Sequence, residues 1–215
     1  MSFCFITEGQ EPALLNVLVP MYKNALEKVG GDLVLAGDLR GLKQPEGAVC
    51  LHLPEEAHSH RLGKLRNAAI SRSRGKLILT GNTCVMFDPE NWADLLVDWV
   101  ESINECVPCL FGLRVLSSSG ERLWDWVKVE SGNRVTLEDY GEQSSNLAIG
   151  GGCLGMSRAA WEVSGGFNED FKGPGEDIEF SHRQSKNKRT AIVFCDAFQV
   201  VSLSTGRNLS SPQGP

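Results

Sequence analysis

Two short runs constrain this chain most: Asp32-Leu-Val-Leu-Ala36 and Lys76-Leu-Ile-Leu-Thr80. Neither alternates apolar with polar residues, so each asks for cover on both faces, as strands of a parallel sheet receive from flanking helices. The segments between them have helical period. Over residues 12–29, Leu14, Leu15, Val17, Leu18, Met21, Leu26 and Val29 form one broad apolar face, closed by Gly30-Gly31. Over residues 61–73, Leu62, Leu65, Ala69 and Ile70 share a side, and Gly75 ends the helix. Residues 3–7 and 48–53 add two strands. Such strand–helix alternation predicts an α/β fold: a central mixed, mostly parallel sheet flanked by helices, with a Rossmann-like first half. Ligands of such sheets bind outside the carboxyl ends of the strands. Three polar turns fall there, Thr7-Glu8-Gly9, Gly37-Asp38 and Thr80-Gly81-Asn82-Thr83, and are expected to converge on one crevice.

The second half is more mixed. The pattern predicts helices over 89–103, 157–163 and 177–186, and strands over 109–116, 123–129, 153–156 and 190–194, with a turn at 117–120. Residues 135–148 carry no clear period. We read 1–203 as a single domain and 204–215 as a polar tail. The chain of 215 residues is long enough for an unstapled core. A net charge of −6 argues against a general nucleic-acid binder. No run approaches the ~18 apolar residues of a membrane span, and the first residues do not resemble a secretory signal. The seven cysteines, an odd and irregularly spaced set, suit reduced thiols and a cytoplasmic location.

Glycine is densest between residues 150 and 175, and there the sequence resembles a known family. Gly165-Gly166-Phe167-Asn168-Glu169 followed by Gly175-Glu176-Asp177 resembles segments of family 2 glycosyltransferases, and of the galactosyl- and N-acetylgalactosaminyl-transferases that share their GT-A fold. Lys64-Leu-Arg66-Asn67, ahead of the strand at 76–80, is similar to the family's Lys and Arg-Asn positions. The resemblance runs from about residue 3 to about 202. It implies a GT-A domain that moves a sugar from a UDP- or GDP-linked donor to an acceptor hydroxyl, of a carbohydrate or another molecule.

On that resemblance, Thr7, Glu8, Gly9, Asp38, Lys64, Arg66, Asn67, Gly81, Asn82 and Thr83 would bind the donor, with Lys64 and Arg66 at the diphosphate. Gly151 and Gly152 would let backbone approach a sugar. Asp177 would be the general base, supported by Glu176 at the same helix start. Trp124 and Trp126 could offer a sugar-stacking platform, although two indoles in a strand are by default core.

The sequence departs from the family at its metal motif. Where Asp-x-Asp should follow the 76–80 strand, Gly81-Asn82-Thr83 stands, and the stretch 199–205 lacks a His. The usual ligands of Mn²⁺ or Mg²⁺ are therefore absent. Two functions follow: a metal-independent, inverting transferase is ranked first, and a GT-A domain without catalysis that binds a sugar, nucleotide or protein is ranked second. Cys106-Val-Pro-Cys109 ends a helix rather than opening one, against a redox motif. His58-Ser-His60 reads as an exposed loop.

Overall fold

The computed structural model describes residues 1–9, 12–88, 91–103, 107–132, 134–150, 152–187 and 189–203. The chain opens with β1 (Ser2–Thr7), α1 (Pro12–Val29), β2 (Asp32–Gly37), β3 (Val49–His52), α2 (Pro54–His58), α3 (Leu62–Arg72) and β4 (Leu77–Asn82). It continues through β5 (Val85–Asp88), α4 (Trp92–Ser102), β6 (Cys109–Ser117), β7 (Trp126–Val129), β8 (Val135–Leu137) and β9 (Leu147–Ile149). It closes with β10 (Cys153–Ser157), α5 (Arg158–Ser164), α6 (Glu176–Lys186) and β11 (Ala191–Ser202).

Eight strands form one sheet in the order β3-β2-β1-β4-β10-β6-β11-β5, and β8-β7-β9 form a small second sheet. The pairs β1–β2, β1–β4, β2–β3 and β6–β11 are parallel. β10 runs antiparallel between β4 and β6, so those two strands point the same way. The carboxyl ends of β1, β2, β4, β6 and β11 therefore lie on one edge.

The double cover expected of the apolar runs is present. In β1, Phe3 and Phe5 enter one core with Tyr22, Phe87 and Trp92, while Cys4 and Ile6 enter the other with Leu65, Ile70 and Phe180. α1, α3, α6 and the first four strands fall close to their expected bounds. Four elements were not anticipated. α2 is five residues with one buried side chain, Ala57, too short to show a period. β8 and β9 are three residues each. β5 is set by long-range pairing with the far end of β11. β11 runs past residue 194 because a register shift between Cys195 and Gln199 interrupts its alternation and then lets pairing resume. The tail assigned to 204–215, the start of the 89–103 helix and Cys106 lie outside the described residues. Among the described residues no helix is long and apolar enough to cross a membrane, and six cysteines are free.

Candidate functional site

The three polar turns meet. The Asp38 amide donates to the Thr7 carbonyl (3.1 Å), and the Thr83 amide to the Ile6 carbonyl (3.0 Å). Gly37 permits this approach: at φ 131°, a Cβ there would sit 1.9 Å from the Thr7 oxygen. The loop after β1 then folds onto Asp38, because a Cβ on Gly9 would lie 2.8 Å from that carboxylate.

The mouth of the crevice is a set of acid–base contacts. Arg40 donates through Nε to both Asp38 oxygens (2.9 and 3.0 Å), and His58 Nε2 lies 2.9 Å from Asp38 Oδ2. The Arg40 hydrogen bonds hold the Asp38 carboxyl well below the usual carboxylate range. Asp38 is 4% exposed only because Arg40 and His58, 67% and 54% exposed, lie over it. That cover is thin and solvent-screened. Glu8 pairs with His60 Nδ1 in the same way. His60 has φ 54°, the one non-glycine residue in the left-handed region among those described, and its carbonyl accepts from the Gly173 amide (3.1 Å). The His58-Ser-His60 motif thus closes α2 and caps two carboxylates instead of lying free in a loop.

Deeper in, α3 and α6 are joined by one ion pair. Arg66 is fully buried. It donates to Glu176 Oε1 (2.8 Å from Nε), Thr80 Oγ1 (3.2 Å) and Asn82 Oδ1 (3.1 Å). Its guanidinium underlies the site and does not face a phosphate as expected. Burial pushes the Glu176 carboxyl up, with Arg66 opposing and Asp177 adding to the rise. Lys64, the other expected diphosphate cation, pairs with Glu56 (2.9 Å) and stays partly exposed.

Asp177, 5% exposed, accepts from the Gly152 amide (2.8 Å) and from its neighbour Ile178 (2.9 Å). Gly152, at φ 79°, also accepts through its carbonyl from the Asn82 amide (2.8 Å). Asn82, Gly152 and Asp177 are thereby brought together, with Gly81 beneath, where a Cβ would press on Phe5 and Cys153. Gly151 lies outside the described residues. The Gly81-Asn82-Thr83 turn does not fit a divalent cation. It offers no carboxylate, and the Asn82 side-chain oxygen already accepts from a guanidinium. Among the described residues no cluster of three His, Cys, Asp or Glu side chains could hold a metal ion.

Two expected contacts take other roles. Asn67 brackets the Gly-Gly-Phe-Asn-Glu loop: its amide donates to the Phe167 carbonyl (3.0 Å) and Glu169 (2.9 Å) and accepts from the Phe167 amide (2.9 Å). Trp126 is fully buried, against Phe194 and Gly112, and offers no face to a sugar. Trp124 precedes β7 and packs beside Ile178, so the two indoles form no shared platform. Sequence reasoning placed Thr80 in a converging turn but missed that it accepts from Arg66, and it missed the histidine caps. The stripe of α3 did carry a signal: Arg66 sits four residues after Leu62 and three before Ala69, on the buried side.

No protein-family model matches this sequence, and no curated protein matches it. Solved structures do match in shape. GalNAc-T7 with UDP, GalNAc and Mn²⁺ superposes with a TM-score of 0.61 at 14% identity, over 99% of this chain and 46% of that one. S. aureus TarS 1-349 with UDP gives 0.57 at 16% identity, over 94% and 59%. Both are GT-A glycosyltransferases. The fold is GT-A. This GT-A chain spans less than two thirds of the length of either neighbour. Its crevice lies at the strand ends where such sheets hold ligands.

Proposed function

We propose that this GT-A domain transfers a sugar from a UDP- or GDP-linked donor to an acceptor hydroxyl, without a divalent metal and with inversion. The observation that carries the reading is the meeting of Asp38, Asn82, Gly152 and Asp177 at one sheet edge, across 139 residues of sequence between first and last. Asp38 would bind base or ribose by exchanging Arg40 or His58 for the ligand's hydroxyl and amide groups. The diphosphate would lie over the Gly81–Thr83 turn. Lys64, released from its exposed pair with Glu56, and Arg40 would supply positive charge to the leaving group. Asp177 would take the acceptor proton as the acceptor oxygen bonds to the anomeric carbon and the bond from that carbon to the diphosphate oxygen breaks. Displacement from the opposite face inverts the anomeric centre. The free thiols support a reducing, cytoplasmic setting.

One observation favours the second reading, a GT-A domain that binds but does not catalyse. Both Asp177 oxygens are occupied by backbone amides, and little of the residue is exposed. Incubation with UDP- and GDP-sugars in EDTA, with an acceptor panel, separates the two. Release of UDP or GDP that falls at least a hundredfold in Asp177→Asn supports catalysis, on the usual scale for a general base. Nucleotide binding with no release, or full activity in Asp177→Asn, contradicts it.

A further inference from the structure

The carboxyl edge continues beyond the donor crevice. Gly112 of β6 pairs with Leu154 of β10, so Arg114, two residues on, lies level with Gly152, the glycine that touches Asp177. Arg114 is in turn opposite Gln199 of β11, and Gln199 is opposite Asp88 of β5. Strands lie ~4.8 Å apart, which sets Arg114 two strands, roughly 10 Å, from β4. Its side chain stands over the Tyr140 ring at 4.9 Å. That is the face on which Phe194 and Trp126 pack, opposite the core that holds Leu113 and Val115.

Here the register shift in β11 opens a cavity of about 160 Å³, lined by Arg114, Phe194, Asp196 and Gln199 among others. It is smaller than the roughly 300–1,000 Å³ of pockets for drug-sized ligands, and suits one ring. Among the described residues the side chains of Arg114 and Asp196 make no hydrogen bond or ion pair, although they share this small space. Gln199 donates to Asp88 (2.8 Å), which keeps its amide oxygen available as an acceptor. Phe194, half-buried and stacked on Tyr140 at 4.2 Å, gives a rigid apolar floor.

The chemistry of these groups selects the ligand. Arg114 only donates and ionised Asp196 only accepts, so a ligand satisfying both must accept and donate within one ring's width. An anion would meet Asp196; a cation would meet Arg114. A neutral ring bearing several hydroxyls, with an apolar face for Phe194, satisfies all of them. We propose that this cavity is a sugar-binding subsite, and that it holds a non-reacting ring of the acceptor while the reacting hydroxyl lies at Asp177. The second clause rests on the transferase reading; sugar binding itself does not.

Saturation-transfer difference NMR with the methyl glycosides of glucose, galactose and N-acetylglucosamine tests it, in EDTA and without nucleotide. Signals are expected from at least one glycoside. Arg114→Gln and Asp196→Asn, both at exposed side chains, are each expected to weaken that glycoside about tenfold, the scale of one charge-assisted hydrogen bond. UDP binding by the same variants should be unchanged. No signal from any glycoside, signals in both variants equal to those of the wild type, or competition by sulfate in place of sugar overturns the proposal. If glycosides bind as expected and UDP does not, the donor reading falls and the subsite stands.

Discussion

Removing the Arg66 guanidinium should be among the most damaging single changes in this chain. Arg66→Met keeps the aliphatic length of the side chain and deletes its charge and donors. Glu176 would be left buried without its partner, and breaking such a pair from one side costs about 3–5 kcal/mol. Thr80 Oγ1 and Asn82 Oδ1 would each lose a hydrogen bond from the charged guanidinium, about 1.5 kcal/mol apiece. The effects share one site and overlap, so a total of about 4–6 kcal/mol is expected. Against a typical domain stability of about 5–15 kcal/mol this is severe. At about 2–4 °C per kcal/mol for a chain of this size, the thermal midpoint should fall by roughly 8–24 °C. The pH dependence gives a second reading. Burial already raises the Glu176 pKa against the opposition of Arg66; without Arg66 it rises further. Glu176 then binds its proton more tightly folded than unfolded, so the deficit of Arg66→Met should shrink as pH falls from neutrality toward 5. The double variant Arg66→Met/Glu176→Leu should recover much of the loss, because no unpaired charge remains buried. Urea unfolding of Arg66→Met, Glu176→Leu and the double variant at pH 5 and pH 8 measures all of this. A loss below about 1 kcal/mol in Arg66→Met, or a double variant as unstable as the sum of the singles, would refute the ion pair as the joint between α3 and α6.

Three further outcomes follow from the same contacts. Asn67→Ala strips both backbone groups of Phe167 of their partner, and should cost about 2–3 kcal/mol in urea unfolding; a neutral effect would mean the loop is held elsewhere. Asp38, whose pKa is depressed by Arg40, stabilises the fold above its unfolded pKa of about 4, and that contribution is lost as pH falls further. The midpoint difference between wild type and Asp38→Asn should therefore be present at pH 7 and vanish in strong acid, and a difference that grew toward acid would have the wrong sign. Burial pushes the Cys4 and Cys153 thiols up to about 12, and Cys109 and Cys195 to about 11, so these four should resist Ellman's reagent at pH 8 until the protein unfolds; rapid labelling of Cys153 would contradict its packing under Gly81.

What the sequence made legible was local or periodic. Continuous apolar runs announced β2 and β4, helical spacing announced α1 and α3, and glycines after them marked where each ended. The convergence of Thr7, Gly37 and Asn82 followed from strand direction alone. The roles within the site were less legible because they depend on contacts far apart in sequence. Arg66 meets Glu176 110 residues later, and nothing local to Gly175-Glu176-Asp177 says that one acid will pair with a cation while the other caps a glycine amide. Asn67 looked like a ligand contact beside Arg66, yet its partner is the backbone of Phe167. Trp126 alternates with Trp124 as a strand pair would, but β7 begins only at Trp126, and Gly112 makes room for the indole in the core. The short elements α2, β8 and β9 carried too few residues to display any period.

The proposed transfer requires a nucleotide in the crevice at the ends of β1, β2 and β4. Isothermal titration of UDP and of GDP into the protein in EDTA, repeated with Asp38→Ala, tests this most directly. Saturable binding of one nucleotide without metal, weakened at least tenfold by Asp38→Ala, is the expected result, since the base or ribose would lose a charge-assisted partner. No heat from either nucleotide, or binding indifferent to Asp38, would contradict it.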